Sequence, residues 1–164
     1  MSDEVKFEVV KVEVPEGTNI IIGQSHFIKT VEDLYEVLVS SVPGVKFGLG
    51  FVEASGERLV RHEGTDEELR RKAAEVAYKI GAGHIFVIYL REAWPINVLN
   101  EIKNCPEVAR VLCATANPVE VVVVETEQGR GITAVIDGFK PLGVEKEGDI
   151  RKRMEFLRKI GYKR

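Results

Sequence analysis

The chain has 164 residues, 45% apolar and 30% charged, the composition of a soluble globular protein with a real core. Its 23 basic residues face 26 acidic ones, so net charge gives no argument for nucleic acid or a membrane surface. No apolar run approaches the roughly 20 residues that span a bilayer, and the acidic start MSDEVKFE is unlike a secretory signal, so a cytoplasmic protein is expected.

Residues 5–14, VKFEVVKVEV, alternate imperfectly and are rich in valine, which predicts a strand with one buried and one wet face. PEG at 15–17 is a turn, and NIII at 19–22 is a second strand. GQSHFIK is a polar loop feeding a helix, with Thr30 as the expected N-cap and Asp33 in the capping-box position. Pro43 and Gly44 stop that helix. KFGLGFVEA at 46–54 is a strand with two internal glycines, Gly48 and Gly50, a pattern that marks a bulge or a close approach.

ASGERL turns the chain into a short partner strand, LVRHE. The next helix has the strongest pattern in the chain. Thr65 and Glu68 form a capping box, Leu69, Ala73, Val76, Ala77 and Ile80 make the apolar stripe, and Gly81 stands where a closing glycine belongs. HIFVIYL reads as a central strand covered on both faces.

WPINVLNEIKN contains a short helix with Pro95 in its first turn. VARVLCAT at 108–115 is a strand. VEVVVVE at 119–125 reads as a fully buried one, joined to GITAVID at 131–137 as a hairpin. An irregular connection leads to an amphipathic helix with Ile150, Met154, Leu157 and Ile160 on one stripe. These elements predict a single α/β domain over residues 1–164, a mixed sheet with helices on both faces. Cys105 and Cys113 form no C-x-x-C pair, which argues against structural zinc and for two reduced, buried thiols.

Polar residues gather in the loops at element ends, where a rigid sheet displays binding groups. Ser25, His26 and Lys29 precede a helix N-terminus, a place that suits a phosphate or a plain solvated cap. Glu53 and Ser55 suit a ribose or a metal, or merely a turn. In GAGH, Gly81 is explained as a cap. Gly83 is not, and it permits an unusual backbone angle or a close ligand beside His84. His84 is either a structural strand-end residue or a base or nucleophile.

Asn117 has an amide suited to an adenine edge, and is equally a turn residue before proline. Arg130 sits at a hairpin tip, as a phosphate clamp or a solubilising charge. Asp137 suits magnesium, a hydroxyl, or an Asx-turn. His62 lies in an exposed-looking segment, and the C-terminal basic run reads as a solvated helix face. The chain carries neither G-x-x-x-x-G-K-[ST] nor G-x-G-x-x-G.

The segments GQSHFIKTVEDLYE, FVEASGERLVR, GAGHIFVIYL, WPINVLN, CATANPVEVVV, GRGI, VIDGFKPLGVE and LRKIGYK occur in order from about residue 5 to residue 163. Together they resemble the small adenosine-specific kinase family of archaea and some bacteria. The resemblance implies a three-layer α/β/α sandwich and a homotrimer. It also implies a site selective for adenosine or its nucleotides (AMP, ATP), and phosphoryl transfer by way of a phosphohistidine. Within these motifs it carries over His84, His26, Lys29, Asn117, Arg130 and Asp137.

Three functions are set against one another. The leading one is an adenosine-directed phosphotransferase. His84 is at the transfer point, Lys29 and Arg130 neutralise phosphate, Asn117 holds adenine, and Asp137 or Glu53 carries Mg²⁺ or the ribose hydroxyl. The second is a non-catalytic adenosine or AMP sensor. The third, RNA binding through the basic C-terminal helix, is disfavoured by the acidic net charge.

Overall fold

A computed structural model describes residues 3–164. Its strands and α-helices run in the order β1 (Lys6–Val12), β2 (Thr18–Ser25), α1 (Thr30–Ser41), β3 (Lys46–Val52), β4 (Val60–Gly64), α2 (Glu67–Ile80), β5 (Ile85–Arg91), α3 (Leu99–Lys103), β6 (Val108–Thr115), β7 (Val119–Glu125), β8 (Arg130–Asp137) and α4 (Glu147–Lys159). The expected α/β fold is present. Pro95 opens a 3-10 turn over Pro95–Asn97 just ahead of α3.

The expected single mixed sheet is corrected to two antiparallel sheets, ordered β4-β3-β5-β2-β6 and β1-β7-β8. The reason lies in the crossovers. The connections β2–α1–β3, β4–α2–β5 and β5–α3–β6 each link strands that are parallel but separated by one intervening strand. The slot between them holds a strand running the other way. A helix between two strands predicts parallel direction, and it does not predict adjacency.

The five-stranded sheet is covered on both faces, which is why HIFVIYL reads apolar throughout: β5 is buried from Ile85 to Leu90. One face packs α1 and α3 through Leu34, Leu38, Val98 and Ile102 against Phe47, Leu49, Phe51 and Ile88. The other packs α2 together with the three-stranded sheet, through Leu69, Ala73, Ile80, Val10, Val121 and Val123. That second covering layer is thus shared between a helix and a small sheet. Because the small sheet has only one face on the core, β7 alternates between buried and half-buried residues and is not fully buried as expected.

The two strand glycines resolve as close approach. A Cβ on Gly48 would lie 2.0 Å from the Leu69 backbone, and one on Gly50 2.5 Å from the Ala73 carbonyl oxygen. Helix α2 therefore rests with its backbone directly on β3.

Both expected helix caps shift. Asp66, not Thr65, caps α2, accepting a hydrogen bond from the Leu69 amide at 3.0 Å. The Thr65 hydroxyl instead donates to the Val45 carbonyl. Thr30 is the first residue of α1, and its hydroxyl donates back to the Phe27 carbonyl. Gly81 ends α2 in the left-handed conformation, as its sequence position predicts (φ 62°). Helix α4 forms, but no residue of it is buried. Cys105 is buried and Cys113 only half-buried, both as free thiols. Burial pushes the Cys113 thiol up to about 11. No described helix is long and apolar enough to cross a membrane.

Candidate functional site

Strand registers decide which loops meet. The pairings Val52↔Val60, Phe51↔Phe86, Gln24↔Ile85 and Ser25↔Val108 bring one end of all five strands of the large sheet to a common edge. Three of the polar segments, GQSHFIKT, EASG and GAGH, therefore open at that edge. The β7–β8 hairpin tip joins them through Arg130.

His84 is the conformational focus of this end. It holds a left-handed backbone (φ 62°), a region that costs a non-glycine residue on the order of 1 kcal/mol or more. The sequence places the unusual angle on Gly83. The structure places it one residue later and gives Gly83 another reason: its added Cβ would crowd Ala54 at 3.1 Å. Two sheet bonds hold His84 in place: its amide donates to the Val52 carbonyl (2.8 Å) and its carbonyl accepts from the Ser25 amide (3.0 Å). Its ring stacks on buried Phe51, with centroids 5.7 Å apart and planes at 15°. The exposed His26 ring meets it edge-on at 6.3 Å. The two histidines, 58 positions apart in the chain, are thus neighbours.

The loop that carries His26 is built tightly. Since the Thr30 hydroxyl proton goes to Phe27, buried Ser25 donates its own to Thr30 at 2.7 Å. Phe27 also has positive φ (93°). Ser25 therefore fastens the loop that carries His26. Lys29 is exposed and pairs with Asp33, which raises the lysine's pKa and lowers the aspartate's. The amide of His26 donates to the Glu107 carbonyl at 2.7 Å. The Glu107 carboxyl is buried, with Oε1 unpartnered, and burial together with nearby Asp33 raises its pKa.

On the α2 side of the same edge lies a cleft of about 510 Å³, within the usual size range for small-ligand sites. Glu53, Gly83 and Arg130 line it, with Arg58, Tyr78 and Gly131. Two of the predicted ligand groups are already committed to the fold. Glu53 accepts from the Leu59 amide and from Arg61, and these bonds, the amide foremost, lower its pKa and close the EASGER turn. Arg130 donates to the Ile80 and Lys79 carbonyls at the end of α2 and pairs with Glu8 and Glu125. Partial burial opposes its charge, but the two carboxylates outweigh it and its pKa is raised. Arg130 is therefore a strut between hairpin and helix.

Arg58 and Tyr78 escaped the sequence reading. Arg58 has positive φ (53°) and no ion-pair partner among the described residues, and Tyr78 stands 76% exposed at the cleft wall. The available signal was an aromatic on the polar face of an otherwise regular amphipathic helix. Ser55 is exposed, and its carbonyl accepts from the Arg58 amide.

Asn117 and Asp137 lie elsewhere. The hairpin register pairs Glu125 with Arg130 at one end and Val119 with Asp137 at the other, about 20 Å away at strand rise. There the Asn117 amide donates to Asp137 at 3.1 Å, and Gly138 (φ 67°) leaves room for the Asn117 side chain. Within one chain Asp137 cannot act beside His84. Nor do the predicted residues fit a protein-held Mg²⁺. The Glu53 carboxylate is used internally, Asp137 is distant, and no cluster of three metal-type ligands exists among the described residues.

What these features define is an antiparallel α/β protein whose loops converge on a paired-histidine edge beside a nucleoside-sized cleft. The sequence model described as adenosine-specific kinase matches residues 10–163, and the chain belongs to that family. Among solved structures it resembles the crystal structure of the PH1918 protein from Pyrococcus horikoshii OT3. The identity is 48%, the TM-score 0.95, and the match covers 98% of this chain and 99% of that one. A search of curated proteins returns no match.

Proposed function

We propose that the protein is an adenosine-directed phosphotransferase working at the loop edge of its five-stranded sheet. Adenosine or its nucleotide occupies the cleft beside Gly83, with Tyr78 offering its ring to the base and Arg58 its charge to an anionic group. The observation that carries the reading is the strained His84, braced by Phe51 and facing His26 across 6.3 Å. A left-handed histidine held by two sheet bonds is strain of the kind that collects at functional sites.

In the reaction an unprotonated His84 nitrogen attacks the terminal phosphorus of ATP, and ADP leaves with the bonding electron pair. The phosphoryl group then passes to an adenosine hydroxyl, whose proton His26 accepts. Lys29, exposed three residues after His26 in the chain, supplies positive charge for the phosphate oxygens. The acting assembly is a homotrimer, as the family resemblance implies.

Incubation with γ-labelled ATP tests this. Acid-labile, alkali-stable label on the wild type and none on His84→Ala is the expected result. If adenosine binds but neither label nor turnover appears, the protein is the non-catalytic adenosine or AMP sensor.

A further inference from the structure

Residues 139–164 form an arm that has no seat on its own chain. No residue of α4 is buried. The arm's hydrogen bonds and its Arg153–Glu145 ion pair close within the arm itself. Yet it exposes large apolar side chains: Phe139 is 85% exposed and Val144 90%, and Met154 and Phe156 of the helix, with Ile160 at its end, add to them. A helix with a clean apolar stripe that packs on nothing is half of an interface.

The other half is on the same molecule. The three-stranded sheet buries Val10, Val121 and Val123 against the core, so strict alternation turns their neighbours outward. The outward rows are Phe7–Val124 and Val9–Val122–Ala134, with Ile136 beside Glu120. Phe7 is 71% exposed, Val9 53% and Ile136 46%. This is an open apolar face spanning three strands, and among the described residues nothing covers it.

We infer that the C-terminal arm of one chain seats its α4 stripe on the outward face of the three-stranded sheet of a second copy. Two observations select that occupant. The chain carries an apolar segment without a seat and an apolar seat without a cover, so copies of one sequence satisfy both. In addition, the relative from P. horikoshii superposes at a TM-score of 0.95 over 98% of this chain, which leaves no room for an arm pointing elsewhere. An arm free of its own body keeps one position only when another molecule holds it. The contact is head-to-tail, so it closes into a ring when each arm is passed to the next copy. This rests on the homotrimer reading and gives that assembly its contact. Val124 faces both the sheet surface and the cleft, so the seated arm lies next to the candidate site.

The test uses full-length protein and light scattering after size exclusion. The arm variant is Met154→Glu with Leu157→Glu, and the sheet variant is Phe7→Glu with Val9→Glu. All four positions lie outside the core, and unchanged circular dichroism checks that each variant folds. Wild type is expected to assemble, and each variant alone to run as a single chain. An equal mixture should recover a two-chain species and nothing larger, because one intact arm and one intact sheet face remain between them. A wild type that stays a single chain overturns both this contact and the trimer. An oligomer that survives either variant, or a mixture that fails to recombine, overturns the contact and leaves the trimer standing.

Discussion

The two ends of the β7–β8 hairpin make an instructive pair, since both carry residues read from the sequence as ligand groups. At one end Arg130 fastens the hairpin to the last turn of α2, beside a cleft and next to the strained turn that carries His84. At the other, Asn117 and Asp137 hydrogen-bond to each other and to little else. The first end brings together segments far apart in the chain. The second joins two loops that the hairpin already made adjacent. Chemistry needs groups that converge on an open space. The cleft at the first end is lined by Gly83, Arg58 and Tyr78, whereas the cavity of about 490 Å³ at the second end is lined by neither Asn117 nor Asp137.

The largest expected effect breaks the comparison at its centre. His84→Gly is expected to lower adenosine phosphorylation by about 10³-fold or more while leaving the melting temperature equal or higher, because glycine relieves the left-handed backbone. A drop in stability with activity intact would make His84 structural. Asn117→Ala, at the other end, is expected to change nucleoside affinity less than about threefold. Calorimetric titration checks it, and a loss of binding would mean the two ends meet across copies.

Next in size is a test of the frame beneath the first end. Gly48→Ala forces a Cβ into the α2 backbone and is expected to cost roughly 2–3 kcal/mol in denaturant unfolding. Arg130→Gln follows. Loss of its ion pairs and carbonyl bonds is expected to cost about 1–3 kcal/mol of stability. A large rise in KM with unchanged stability would instead restore Arg130 as a phosphate clamp.

The smallest effect is electrostatic. Burial raises the folded-state pKa of Glu107, so its ionisation opposes folding. That penalty is absent below the unfolded carboxyl pKa and grows as pH rises above it. Glu107→Gln is therefore expected to raise the melting temperature at pH 7 and leave it nearly unchanged near pH 4. Thermal melts at the two pH values decide it.

Much of the local structure was legible from the residues. Valine alternation placed β1, the VARVLCAT and VEVVVVE segments match β6 and β7, and Gly81 marked the end of α2 with its left-handed turn. The polar loops at element ends, His84 among them, were also readable, because turn chemistry and periodicity act over a few neighbouring residues. Only the tertiary structure decided the rest. Sheet order made the strands antiparallel, register put His26 against His84 and sent Asp137 to the far end, and packing tied up Ser25, Glu53 and Arg130. It also left α4 without a seat. The physical reason is range: a residue's conformation is set largely by its near neighbours, whereas its hydrogen-bond partner is chosen by which distant strand or helix end the fold brings within about 3 Å.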